Sequence, residues 1–133
     1  MFKRSSAKKI RNVYGICKAY STYVGSKKFE GDDECFGKIR DIGNEFGSTT
    51  GRPRQVNWVN MDTLIKAINI NGVTELIVNK VDVLQEVGVY KYYLNNELVE
   101  FKTFESFWES FKFNIYIKTD LKNIKYSESA MTV

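Results

Sequence analysis

The 133-residue chain carries a formal net charge of +4, with 43% apolar and 27% charged residues, the balance of an ordinary soluble domain with one modest core. It contains no histidine, which excludes histidine acid–base catalysis and histidine metal ligation within this polypeptide. No apolar run reaches the length of about 18–20 residues that a membrane span needs, and Cys17 and Cys35 form neither a disulfide framework nor a metal spacing, so a cytoplasmic protein is expected.

The chain opens on a basic third: Lys3, Arg4, Lys8, Lys9, Arg11, Lys18, Lys27 and Lys28 occur before the first acid. Ile10, Val13, Tyr14, Cys17 and Tyr20 fall at helical spacing, so residues 7–20 read as a helix with Ser5 or Ser6 as its cap. Ser26–Asp33 reads as a polar loop, and Glu30, Asp32, Asp33 and Glu34 as solvated charge; a nucleic-acid partner is not expected. Glu34–Asp41 predicts a short helix. Asp62 is placed as the cap of a third, with Leu64, Ala67 and Ile68 inward and Gly72 as its stop. Glu75–Val78 is a strand by its β-branched run.

Val87–Leu94 and Glu97–Phe101 flank Asn95-Asn96, a two-residue hairpin turn. Thr103 caps a helix whose Phe104, Phe107, Trp108 and Phe111 form a core-facing aromatic stripe. A last strand is expected near Phe113–Ile117, followed by a polar tail. The fold class is therefore α/β, a mixed sheet with a β-hairpin and flanking helices, in a single domain over 1–133.

Two stretches carry chemistry. In Gly43-Asn44-Glu45-Phe46-Gly47-Ser48-Thr49-Thr50-Gly51-Arg52-Pro53-Arg54, glycines let the backbone come close to a ligand, and two threonines place hydroxyls beside it. Pro53 favours an extended chain, in which Arg52 and Arg54 share a side. Two guanidinium forks beside two hydroxyls suit a small carboxylate or a phosphate; a surface turn with solvated arginines fits the same spacing. Asn79-Lys80-Val81-Asp82 follows an apolar strand, and N-K-x-D at a strand end is how many GTP-binding proteins read guanine. The aspartate accepts from the ring N–H and the exocyclic amine, and the lysine stem packs over the base.

Lys18-Ala19-Tyr20-Ser21-Thr22, Val24-Gly25, the arginine stretch, Trp58 and Lys80-x-Asp82-Val83-Leu84 occur in the order and spacing of adenylosuccinate synthetase. The chain resembles the C-terminal part of that family, including the phage-type 2-aminoadenylosuccinate synthetases. The resemblance implies the C-terminal portion of that fold, and a reaction that phosphorylates O6 of IMP with GTP before L-aspartate displaces the phosphate. It implies that Thr49, Thr50, Arg52 and Arg54 bind L-aspartate, with Arg52 also on the nucleotide substrate beside Val24 and Gly25. Lys80 and Asp82 would select guanine; phage-type relatives can use ATP, and keeping Asp82 points to GTP.

The family's phosphate-binding glycine loop, catalytic aspartate and catalytic histidine have no counterpart here, so no catalytic or metal residue is assigned, and magnesium is expected only where that half is supplied. After Val24, the usual proline-containing loop is replaced by Ser26-Lys27-Lys28-Phe29-Glu30-Gly31, and the turn that closes the guanine pocket looks deleted after Lys125-Tyr126-Ser127. The expected function is a synthetase-like protein of purine biosynthesis, inactive alone and completed by an N-terminal half in trans. The alternatives are a non-catalytic guanine-nucleotide and carboxylate-binding module, or an interaction protein derived from the family. Uncovered apolar faces on the helices at 7–20 and 62–71 would call for a protein partner or a homo-oligomer.

Overall fold

The computed structural model describes residues 12–127; the basic cluster before Asn12 and the polar tail after Ser127 lie outside them. Its elements are β1 (Tyr14–Lys18), β2 (Ser21–Tyr23), α1 (Phe36–Ile42), β3 (Gln55–Asn57), β4 (Val59–Asn60) and α2 (Met61–Asn71). There follow β5 (Glu75–Asn79), α3 (Val81–Val87), β6 (Tyr90–Leu94), β7 (Glu97–Phe101), α4 (Phe104–Tyr116) and β8 (Asn123–Tyr126). The strands form three small sheets: parallel β1-β5-β8, antiparallel β2-β3, and β4-β6-β7, in which β6 runs parallel to β4 and antiparallel to β7. The mixed α/β class with a hairpin is the one the sequence predicts.

Where a helix was expected across 7–20, the described part is a strand. The apolar spacing from Ile10 to Tyr20 also contains a period of two: Tyr14 and Ile16 are 64% and 58% exposed, while Cys17 packs against the core. Pairing with β5, sixty-odd residues away, decides between the two periods, with Val13 donating to Thr74 Oγ1 at 2.8 Å. On β5 the buried residues are Leu76 and Val78, and on β8 Ile124. The register sets them on the face that holds Gly15 and Cys17, opposite Tyr14, Ile16, Ile77 and Lys125. Parallel strands are ordinarily covered on both faces, so a sheet left half-open by the described residues is unusual.

The helix at 61–71 forms as expected, but Asn60 caps it, accepting from Thr63 N at 3.2 Å. Asp62 lies in the first turn, where its charge suits the helix dipole, and its Oδ2 accepts from Asn95 N at 2.7 Å. Gly72 ends the helix at φ 64°, a left-handed position that favours glycine. Asn95 and Asn96 have φ of 54° and 66°, the backbone that a two-residue hairpin turn with right-handed strand twist demands.

The first hairpin strand starts at Tyr90 rather than Val87, because α3 intervenes and is closed by Gly88 at φ 79°. The strand expected at Phe113–Ile117 is the last turn of α4. Thr103 caps that helix through Ser106 N, and Phe107, Phe111 and Ile115 continue its buried face at spacings of four. The aromatic stripe is core: the Phe107 ring lies 5.7–6.3 Å from those of Tyr90, Tyr92, Phe101, Phe104 and Phe111.

Two of the four acids read as solvated are engaged. Glu30 Oε1 accepts from Arg40 NH1 at 2.6 Å and from Val56 N at 2.9 Å, and Asp33 Oδ2 accepts from Lys91 at 2.8 Å. No described helix is long and apolar enough to cross a membrane.

Candidate functional site

The arginine stretch folds back on itself because its two ends pair. Phe46 bridges Pro53, Gly47 N donates to Arg52 O at 2.8 Å, and Arg54 N donates to Glu45 O at 3.0 Å. Between those rungs Gly51 takes φ 71° and donates back to Gly47 O, which turns the chain within four residues. Thr49, Thr50 and Arg52 sit exposed on this loop. Arg52 makes no side-chain hydrogen bond or ion pair among the described residues, and Thr50 Oγ1 accepts from Arg52 N at 3.3 Å. Arg54 differs: it is half-buried, and its NH1 donates to Glu45 Oε1 at 2.9 Å. The two arginines are therefore unequal, one free at the tip and one committed at the base.

Val24 and Gly25 lie just beyond β2, whose Tyr23 pairs with Gln55, the residue after Arg54. Gln55 fastens that loop: its Nε2 donates to the carbonyls of Gly25 and Lys27, and its Oε1 accepts from Phe29 N and Glu30 N. The Gly25 carbonyl is thus already partnered, and the Val24 side chain is 67% exposed.

At the carboxyl end of β5, Lys80 takes the left-handed conformation at φ 64°, a costly one for a residue with a side chain, and starts α3. Its ammonium does not hang free; it donates to Gly43 O at 2.8 Å and stands 4.0 Å from Glu45 Oε2. Asp82 lies in the first turn of α3. Among the described residues its Oδ1 is buried without a hydrogen-bond partner, and so are Asn79 Oδ1 and Ser127 Oγ. Ser127 arrives there because its N–H donates to Val78 O, continuing the β5-β8 ladder. Orphaned buried oxygens following the ends of two paired parallel strands are costly unless a ligand's donors meet them. Ser127, read above only as the edge of a deleted turn, belongs to this group; a hydroxyl residue one step past β8 was the available signal.

Glu45 was the other residue missed. It is 1% exposed, and its carboxylate accepts from Lys18 Nζ, Arg54 NH1 and Tyr20 OH at 2.9, 2.9 and 2.6 Å. As the only acid in a twelve-residue stretch with two arginines, it was marked out by charge alone.

Burial works to raise the Glu45 pKa, but the Tyr20 hydroxyl, Lys18 and Arg54 outweigh it and hold the carboxyl below its ordinary 4.5. Burial likewise opposes, and Arg40 and Val56 N for Glu30 and Lys91 for Asp33 prevail, so these pKa values are also lowered. A folded pKa below the unfolded one adds stability that is complete above the unfolded value and is lost as pH falls through the folded one. The melting temperature is therefore expected to stay level between about pH 5 and 8 and to fall steadily below about pH 4.5. A melting curve as stable at pH 3 as at pH 7 would contradict the ion pairs.

Burial pushes the Cys17 and Cys35 thiols up to about 12, with Asp33 adding to the effect at Cys35, which disfavours the reactive thiolate at neutral pH. Among the described residues no group of three or more His, Cys, Asp or Glu is placed to hold a metal ion.

The profile of the adenylosuccinate synthetase family matches residues 3–114. The adenylosuccinate synthetase of Phocaeicola vulgatus is 44% identical over 99 residues, covering 70% of this chain and 23% of that protein. That of Azobacteroides pseudotrichonymphae is 47% identical over 103 residues, covering 73% of this chain and 25% of the other. In structure, the fold is similar to the fully ligated adenylosuccinate synthetase from Plasmodium falciparum, with a TM-score of 0.56 and 30% identity over 73% of this chain and 25% of that one. The chain spans about a quarter of the length of these relatives.

Proposed function

The chain belongs to the adenylosuccinate synthetase family, and from that premise we propose that it supplies the aspartate- and guanine-binding part of a synthetase of purine nucleotide biosynthesis. The reaction is the GTP-dependent joining of L-aspartate to IMP, completed by a complementary portion in trans. That portion brings the phosphate loop, its magnesium, and the acid and base.

On this reading Arg52, with the hydroxyls of Thr49 and Thr50, receives the carboxylates of L-aspartate. Arg52 also serves the nucleotide substrate, and Arg54 braces the loop from its base. Val24 and Gly25 present backbone to the ribose of IMP. Asp82 accepts from the ring N–H and amine of guanine, with the Lys80 stem along the base; Asn79 and Ser127 have oxygens left for further donors. The observation that carries the reading is the set of buried oxygens on Asn79, Asp82 and Ser127 that have no partner among the described residues, near the carboxyl ends of parallel strands, where open α/β sheets take ligands. The open face of β1-β5-β8 supports the need for a complement, since Tyr14 and Ile16 are left in solvent.

Titration calorimetry of the 133-residue chain should show GTP and L-aspartate binding, while an assay of the chain alone shows no adenylosuccinate. Adding the complementary portion of a relative's synthetase should start turnover. Binding without turnover in that mixture would instead favour the non-catalytic binding module. A chain that binds neither ligand would overturn both readings.

A further inference from the structure

We propose that Glu45 is a positioning residue that couples the arginine loop to the Asn79-Lys80-Val81-Asp82 turn, so that the two ligand subsites are set by one carboxylate. The inference deepens the function proposed above and takes its two subsites from that reading.

The geometry is a bracket built from three consecutive residues. At one end, the Gly43 carbonyl receives the Lys80 ammonium at 2.8 Å. Only glycine fits there, because a Cβ would meet the Tyr20 hydroxyl and would stand 2.9 Å from Ile39 O. At the other end, Glu45 grips Arg54 twice, through its backbone carbonyl to Arg54 N at 3.0 Å and through Oε1 to NH1 at 2.9 Å. The same carboxylate lies 4.0 Å from Lys80 and is tied to β1 by Lys18 and to the core by Tyr20. The left-handed Lys80, which aims α3 and hence Asp82, is thus held by the segment that holds the base of the arginine loop.

Charge explains why an acid occupies this place. Lys18, Arg54 and Lys80 converge within 4.0 Å of one buried carboxylate. Without it they would repel one another and swing toward solvent. A buried carboxylate is no efficient way to gain stability, since apolar replacements of buried ion pairs often match or exceed it. What it does provide is a fixed position for each cation.

The test uses Glu45→Gln in the 133-residue chain, and the double variant Glu45→Gln with Lys18→Met. The double variant has two cations and no carboxylate in place of three and one, so the cluster keeps its net charge and the fold is not asked to absorb a third unpaired cation. Amide hydrogen exchange reports both subsites: Arg54 N, bonded to Glu45 O, for the loop, and Val83 N, bonded to Lys80 O, for the turn. In the double variant both amides should quicken together by about 10-fold or more, with Tyr92 in β6 and Phe111 in α4 unchanged. Response of one amide alone, of neither, or of all four equally overturns the proposal, the last because it marks a merely structural role.

Calorimetry with GTP and L-aspartate runs alongside. Joint weakening of both ligands in the double variant supports the coupling, and loss of one alone contradicts it. If the unmodified chain binds neither ligand, the proposed function fails, and the exchange rates still decide whether Glu45 links the two segments.

Discussion

Replacing Asp82 with asparagine is expected to weaken GTP binding by about 100-fold or more while leaving the fold intact, because two charge-assisted hydrogen bonds of about 1.5–3 kcal/mol each are at stake. Asp82 stands in the first turn of α3, with Oδ1 buried and unpartnered. Its carboxylate can accept from both the ring N–H and the exocyclic amine of guanine. Asparagine offers one acceptor and sets an amide N–H against the amine, so it both loses a bond and adds a repulsion. The same substitution suits a base that carries a carbonyl where guanine carries its amine. Xanthosine triphosphate should accordingly bind the variant better than GTP does. Calorimetry with the two nucleotides decides it: unchanged GTP affinity, or no gain for the xanthine nucleotide, removes Asp82 from the base-reading role.

The largest effect on stability is expected from Phe107→Ala. Phe107 is fully buried and lies among the rings of Tyr90, Tyr92, Phe101, Phe104 and Phe111, so it joins α4 to both strands of the hairpin. Truncation removes the ring's transfer energy and leaves a cavity that a crowded aromatic cluster closes only in part, a cost of about 3–5 kcal/mol. Set against a total of about 5–15 kcal/mol for a small domain, that removes a large share of the stability. Phe113→Ala is the control on the same helix: its ring is 62% exposed, and the change should stay within about 0.5 kcal/mol. Urea unfolding of the two variants compares them directly, and a Phe107 effect below 1 kcal/mol would show that the cluster repacks.

What could be read in advance was the local part of the structure. The Asn95-Asn96 turn, Thr103 with its aromatic helix, and Gly72 as a helix stop are each specified by neighbours in sequence, and each formed where expected. Most of the larger misreadings fall where packing against other segments chooses. Residues 14–18 satisfy both a helical and a two-residue period, and β5 selects the strand. Phe113–Ile117 is rich in β-formers, yet Ile115 continues the buried face of α4. The α3 helix is seven residues long and opens on a left-handed lysine, a start that no cap residue announces.

The site divides the same way. Family likeness marked Arg52, Arg54, Lys80 and Asp82 by type and spacing. It could not reveal that Arg54 and Lys80 converge on Glu45, because that meeting joins segments 9 and 35 residues apart, as the positions themselves show. Nor could it show that Ser127 N meets Val78 O at the end of β5, which depends on the register of β8 against β5.

Strand β1 is one edge of its sheet, open on one face, and it also delivers Lys18 to Glu45. Local opening starts where few apolar contacts hold, and the aromatic cluster of the hairpin and α4 is fully packed. That cluster contains none of the ligand-facing residues, whereas a strand with one exposed face supports them. Fraying of that one edge can disable the site while the bulk of the domain stays folded.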